Sequence, residues 1–565
     1  MTGRSWGRPA AGREPAAAAI LAWLSDPAAP RLCVVTGSEG CGKSTLLAWL
    51  IGHGTRPGTP AERRVHGFVP MAGLTATSAA WMLAEQLEVP ARTPGELVDL
   101  LSADVRRTVV VLPDVHAAAD AEGVAELALA LQDVAHVRVL VEVRSASAAA
   151  EALASVASAR MDLDEPRWTD PERYARWAAE ERTAGERTAG ERTAGDRAPA
   201  SPPVAIDLDD PAAVCAAAPW RVSTSYEQSS DAHGGLRAAW LRAGASLTRD
   251  QSPAERAVVL LAALGDDADP RLSQALSDLS AGAPWRVLWR RVRGDITPPW
   301  PGPVRALAGG RGPLAGQLVV TDHRGTVRLL REEDAAAIGR LPAEVPEAKG
   351  VAVQGDGSVA AIDGNGQLVT QYPANTAGSS GLLALLDDGP SSLEKLLEEA
   401  VAYAKSVTVT ALASTESAIV MGDRAGTVHV VTGDADRSRT AALHQGPVTA
   451  LASVRLPVSD DGTTVPLLYS GGADGAVRVW APGADPMATP FLSRPHPVTA
   501  LAVGGPDGGQ VLTAAWSDGL VEQHEVGGGT VRGFRPGGHV HALALTSAGH
   551  LVVGTDESLI CLSPA

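Results

Sequence analysis

Gly37-Ser38-Glu39-Gly40-Cys41-Gly42-Lys43-Ser44-Thr45 is the stretch on which the reading turns. It fits the spacing G-x-x-x-x-G-K-[ST]. Glycines at these intervals let the backbone curl until successive N–H groups converge on the oxygens of a phosphate. The lysine reaches the β- and γ-phosphates, and the hydroxyl that follows it coordinates Mg²⁺. An apolar run, Leu32 to Thr36, precedes the motif, and a helical run, Ser44 to Leu50, follows it. That helix aims its positive dipole end at the same phosphates. The stretch therefore predicts a P-loop whose residues Gly37 to Thr45 take ATP with Mg²⁺. Lysine is otherwise scarce, occurring only at Lys43, Lys349, Lys395 and Lys405, which makes its presence in the loop more telling.

Outward from the loop, residues 15–165 alternate between apolar runs and Ala- and Leu-rich helical patterns. Leu32 to Thr36, Val65 to Pro70, Thr108 to Leu112 and Val137 to Val143 read as strands. Strand–helix alternation implies a parallel sheet covered on both faces. The third of these strands is followed by Pro113 and Asp114. In P-loop proteins a carboxylate at a strand end sits opposite the P-loop hydroxyl and holds the metal's water. Asp114 fits that role, with Ser44 as its partner at the metal; the alternative is a helix cap. The fourth strand ends in Arg144-Ser145. Arg144 either reaches the γ-phosphate or serves as a helix cap or surface ion pair. Lys43, Asp114 and Arg144 are thus the candidate catalytic residues.

Residues 1–14 read as an N-terminal extension and 166–204 as a linker. Within it, residues 181–197 read ERTAGERTAGERTAGDR, a tandem repeat with no apolar face, hence a solvated helix or a flexible tether. Residues 205–296 return to helical patterns, with a capping box at Ser252-Pro253-Ala254-Glu255. Thr297 to Pro303 carries four prolines and marks a boundary.

From 297 to 565 the pattern changes to short alternating runs. Pro303-Val304-Arg305-Ala306-Leu307-Ala308 recurs as Pro447-Val448-Thr449-Ala450-Leu451-Ala452 and as Pro497-Val498-Thr499-Ala500-Leu501-Ala502, and loosely as Val540-His541-Ala542-Leu543-Ala544. Each unit also carries an Asp- and Gly-containing turn, with glycines at Gly325, Gly366, Gly426, Gly475 and Gly519. A repeat of roughly 40–45 residues is the period of a four-stranded propeller blade. The wider interval between Gly366 and Gly426 holds an inserted helix near 391–405, signalled by Ser391 with Glu394 and by Leu393, Leu396, Leu397 and Val401. The expected fold is thus multidomain: an α/β P-loop NTPase, a helical middle domain and a C-terminal all-β propeller of six or seven blades.

Two resemblances follow from these residues. Gly471-Gly472-Ala473-Asp474-Gly475-Ala476-Val477-Arg478-Val479-Trp480 resembles the ending of a WD repeat, although the other units lack the terminal Trp. Residues 15–300 resemble the STAND class of signalling NTPases. Ala22-Trp23-Leu24 stands before Val34-Val35-Thr36-Gly37, as it does in bacterial members, and Val143-Arg144-Ser145 stands where they carry Thr-Ser-Arg. The resemblance implies an ATP-dependent regulatory switch whose propeller senses or docks a protein partner. Its output would pass to an effector in trans or through self-assembly. The alternative is a nucleotide-stabilised scaffold with little or no hydrolysis. One departure bears on turnover. STAND proteins usually follow the magnesium aspartate with a further acidic pair, whereas here the sequence runs Asp114-Val115-His116-Ala117-Ala118-Ala119. Either Asp120, Glu122 or His116 reaches in, or hydrolysis is very slow or absent.

The bulk composition narrows the partners. With a formal net charge of -17 and basic residues interleaved with acidic ones, the chain would be repelled by a phosphate backbone, so nucleic acid is not expected. Cys33, Cys41, Cys215 and Cys561 show no metal or disulfide spacing, which points to a reducing compartment. Apolar runs such as Val109 to Leu112 are far too short to span a membrane. The expected location is the cytoplasm, and the Ala-, Arg-, Gly- and Pro-rich composition looks like that of a GC-rich bacterial genome. No N-K-x-D guanine-reading motif occurs, which favours ATP over GTP.

Overall fold

The computed structural model describes residue 9 and residues 12–176, 205–296, 300, 302–371, 392–433, 438–457, 464–505 and 510–565. The chain divides into two compact units. One comprises Met1–Leu208 with Ala217–Ser230, the other Asp209–Ala216 with Asp231–Ala565.

The first unit is built on a parallel sheet of β1 (Leu32–Thr36), β2 (Gly67–Phe68), β3 (Thr108–Leu112), β4 (Val137–Glu142) and β5 (Ala159–Asp162), in the order β2-β3-β4-β1-β5. Its strands are apolar on both faces because both are covered. Cys33, Val35, Val109, Val111 and Leu140 pack against α1 (Glu14–Ser25) and α2 (Lys43–Gly54). Val34, Val110, Leu112 and the odd-numbered valines of β4 pack against α3 (Ala76–Leu87), α4 (Pro94–Ala103), α5 (Ala121–Asp133) and α6 (Ala148–Ala154). Because β4 lies between β3 and β1, Glu142 pairs in register with Val35 of the P-loop strand. The unit also extends past 165: the Asp170 amide donates to Gly12 O at 2.8 Å, so the expected linker start at 166 falls inside the fold. The ERTAG repeat lies outside the described residues.

The second unit contains a six-bladed propeller, which resolves the expected count of six or seven. In chain order the blades begin at Val304, Gly350, Val409, Val448, Val498 and Val540. Each opens with an apolar strand, and the recurring Val-x-Ala-Leu-Ala signal has a structural cause. In five blades the register shifts between the Val and the Ala two positions on, as at Val448/Ala450 and Val498/Ala500, a β-bulge that turns the intervening side chain aside. At two of these positions a Thr ties blades together: Thr410 Oγ1 donates to Val448 O at 2.6 Å and Thr449 Oγ1 donates to Val498 O at 2.5 Å. The opening Val residues are fully buried, and Val304, Val448 and Val498 each pack against a glycine of the preceding blade. A Cβ at Gly422 would meet Val448 Cγ1 at 2.5 Å, and one at Gly471 would meet Val498 Cγ1 at 2.4 Å. Glycine is required there for the closeness of blade packing.

Blade two has three strands among the described residues, and the expected inserted helix follows as Ser392–Ala404. Leu396, Leu397, Ala400 and Ala404 of that helix close the core against Ile362, Leu368, Ile419 and Val431 of blades two and three. Ser391, its expected cap, lies outside the described residues.

Two sequence boundaries are corrected. Trp285–Val292, read as part of the helical region, is a strand that pairs antiparallel with Ser558–Pro564 and completes the last blade. The propeller thus closes on a strand supplied from before 297. Trp289 Nε1 donates to Glu332 O in blade one at 2.8 Å, and Trp285 Nε1 donates to Gly533 O in blade five at 3.0 Å. The expected helical domain is also not one body. Helix Pro219–Gln228 belongs to the first unit, where Thr224 Oγ1 donates to Gly73 O at 3.2 Å. Helices Pro211–Ala216, Leu236–Leu247, Pro253–Ala263 and Pro270–Leu279 belong to the propeller unit, anchored by bonds such as Arg290 Nε to Leu264 O at 2.7 Å. The Ser252–Glu255 capping box is present as read. Among the described residues, no helix is long and apolar enough to cross a membrane.

Candidate nucleotide-binding site

The loop from Gly37 to Gly42 joins β1 to α2, at the C-terminal edge of the parallel sheet. Gly40 and Gly42 take φ values of 76° and 92°, the left-handed conformation that lets consecutive amides face one concavity. Gly37 is crowded instead: a Cβ there would meet Cys41 Sγ at 2.6 Å. Lys43 is buried, and its ammonium sits at the centre of the loop, donating to Gly37 O at 2.9 Å and Ser38 O at 2.7 Å. Thr45 follows in the first turn of α2.

The loop is held from outside by residues that sequence reading passed over. Asp164, just beyond β5, accepts from the Ser38 amide at 2.7 Å and from Ser38 Oγ at 2.8 Å. Arg13, assigned to an N-terminal extension, is buried and donates to Cys41 O, to Leu163 O at 2.9 Å and to Thr169 Oγ1. It thereby fastens the loop to the segment after β5. An arginine directly before a helix start carries no pattern that distinguishes it from a surface arginine.

Beside Ser44 lies a carboxylate that sequence reading passed over. The Ser44 hydroxyl donates to Glu142 Oε1 at 3.0 Å. Asp114 makes no hydrogen bond to Ser44 among the described residues; it follows Pro113 with φ 57° and precedes a short 3₁₀ turn without capping it through its side chain. Glu142 is about 1% exposed, and its Oε2 is a buried acceptor without a hydrogen-bond partner. A buried, half-satisfied carboxylate beside a P-loop serine is the donor set a divalent cation takes: hard oxygens, one of them anionic. Ser44 and Glu142 therefore fit Mg²⁺, with Asp114 close enough to act on Glu142 electrostatically.

That proximity shows in the protonation of Glu142. Burial pushes its pKa above the ordinary carboxylate value and the Asp114 charge adds to the rise, while the Ser44 hydroxyl and Lys43 pull against it. A carboxyl whose pKa rises on folding keeps its proton where the unfolded chain has lost it. Its contribution to stability is therefore lost as pH climbs from the ordinary carboxylate range through the raised value. Glu142→Gln removes that loss. The ligand-free variant should be more stable than the parent at neutral pH, with a flatter pH profile. Thermal melts at about pH 5 and pH 8 check this; parallel losses in both proteins would contradict it.

Arg144 and His116 complete the site. Arg144 reaches the loop and pairs with Glu39 at 3.3 Å, both side chains being largely exposed, so this surface ion pair is weak and readily exchanged. Of the three residues weighed as water-orienting groups, Asp120 is occupied as the cap of α5, accepting from the Gly123 amide at 3.0 Å, and Glu122 lies in that helix's first turn. His116 is the one near the loop. Burial lowers its pKa, followed in effect by Arg144, with Asp114, Lys43 and Glu39 also acting on it. Its Nδ1 is buried without a hydrogen-bond partner among the described residues. No protein-family model matches the chain, and no curated protein matches it.

Proposed function

We propose that this chain is an ATP-binding regulatory NTPase of STAND type, whose WD-repeat-like propeller docks a protein partner. The observation that carries the reading is the loop Gly37–Thr45, with Lys43 at its centre and the Ser44–Glu142 pair beside it. In this reading the loop amides and Lys43 hold the β- and γ-phosphates. Ser44 and Glu142 hold Mg²⁺, which would supply charge neutralisation at the phosphate oxygens. Arg144 exchanges Glu39 for the γ-phosphate, since guanidinium prefers the more highly charged, bidentate acceptor. The propeller is a rigid platform whose blades bury their apolar strands against one another, leaving its surfaces for a partner.

Turnover should be slow. No carboxylate occupies positions 115–119 after Asp114, and Asp120 is held as a helix cap. We expect fewer than about 1 turnover per second, below the usual enzyme range. Phosphate release from purified protein with ATP and Mg²⁺ tests this. Tens of turnovers per second without a partner would overturn the assignment of the site as a switch.

A further inference from the structure

A second cavity lies at the opposite edge of the same sheet, where β1, β3 and β4 begin. It has a volume of about 720 Å³ and is lined by Arg31, Arg107, Arg138 and His136, with Asp133 and Pro30. Among the described residues the three guanidiniums hydrogen-bond to main-chain carbonyls, and Arg138 also lies over the Trp23 ring, 5.3 Å from its centroid. Arg31 Nε donates to Gln132 O at 2.6 Å, Arg107 Nη2 to Glu62 O at 3.1 Å and to Leu24 O, and Arg138 Nη1 to Trp23 O at 2.6 Å with Nη2 to Asp26 O. His136 Nε2 is within 2.8 Å of Leu101 O.

None of the three arginines forms an ion pair among the described residues, although Asp133 shares the wall. Arg138 is about 8% exposed. Charges this deeply buried are normally paired. Here the charged neighbours acting on Arg138 are Arg107 and Arg31, opposed by Asp26. Three like charges converging on one hollow raise its potential and call for a compensating anion. Guanidinium forks match the oxygens of phosphate in a bidentate way, and the volume is that of a small-molecule site.

We infer that this cavity binds a phosphorylated small molecule of about nucleotide size, held by Arg31, Arg107 and Arg138, at a site separate from the P-loop. Arg31 and Arg107 sit at the rim and grip the phosphate, while Arg138 supplies charge from beneath. Arg138 and Glu142 lie on the same face of β4, so this strand links the cavity to the loop directly.

Inorganic pyrophosphate is the probe. Equilibrium dialysis on the full chain carrying Lys43→Ala, which disables the P-loop, should show one saturable site tighter than about 1 mM. Adding Arg31→Gln with Arg107→Gln should weaken binding at least tenfold with an unchanged thermal melt. Arg31→Gln alone, at an exposed position, gives an intermediate loss if the paired variant is poorly folded. Binding that is absent, that is indifferent to these arginines, or that citrate competes away as well as pyrophosphate does would overturn the inference. Since Lys43→Ala is present throughout, failure here leaves the P-loop reading untouched, and failure of that reading leaves this result standing.

Discussion

A fragment of residues 297–565 should not fold cooperatively, whereas a fragment of residues 205–565 should. The sequence break at Thr297 to Pro303 suggests that the propeller starts there, but its last blade is completed by Trp285–Val292. Cutting at 297 removes Trp285 and Trp289, both buried, together with a full antiparallel ladder on Ser558–Pro564. Losing one large buried aromatic costs about 3–5 kcal/mol. Two of them, with the ladder, reach the whole net stability of a typical domain, about 5–15 kcal/mol. The outer edge of Ser558–Pro564 would also be left unpaired and open to association. Guanidinium unfolding followed by circular dichroism distinguishes the cases. A cooperative transition at the same midpoint in both fragments would show that the closing strand is dispensable.

Lys43→Ala should lower ATP affinity at least tenfold, about 1.4 kcal/mol. The side chain is buried at the loop's centre and bonded to Gly37 O and Ser38 O, so it is placed before any phosphate arrives. Its loss removes the one lysine in the concavity while leaving the flanking clamps, Asp164 on Ser38 and Arg13 on Cys41, in place. The effect should therefore fall on binding rather than on folding. Calorimetry with an unchanged dissociation constant in the variant would remove the basis for a nucleotide site at this loop.

How much of this was legible depended on whether local pattern and tertiary placement agreed. The turn from β1 into α2 was legible because the glycine spacing of Gly37 to Gly42 is local. The propeller was legible because the same bulged strand is used in blade after blade, so Val-x-Ala-Leu-Ala repeats. The closing strand was not, for a specific reason. Its buried residues are Trp285, Trp289 and Val292, spaced like one face of a helix. A register shift opposite Cys561 and Leu562 inserts Leu288 as an extra residue, and that bulge breaks the alternation that marks a strand. Glu142 was hidden differently. It lies on an alternating strand, and only the insertion of β4 between β1 and β3 brings it to Ser44. Asp114, at the end of β3, is one strand further from β1. Sheet order is a non-local property, and no single segment of the sequence displays it.

In the proposed function Gly37–Thr45 binds ATP with Mg²⁺ and Glu142 supplies the metal's protein carboxylate. Calorimetric titration of ATP, with and without Mg²⁺, into the parent protein, Glu142→Gln and Asp114→Asn tests it most directly. Mg²⁺ should tighten ATP binding in the parent and in Asp114→Asn, and should have little effect in Glu142→Gln. ATP binding that is absent from the parent, or a Mg²⁺ effect that survives in Glu142→Gln and disappears in Asp114→Asn, would contradict the account.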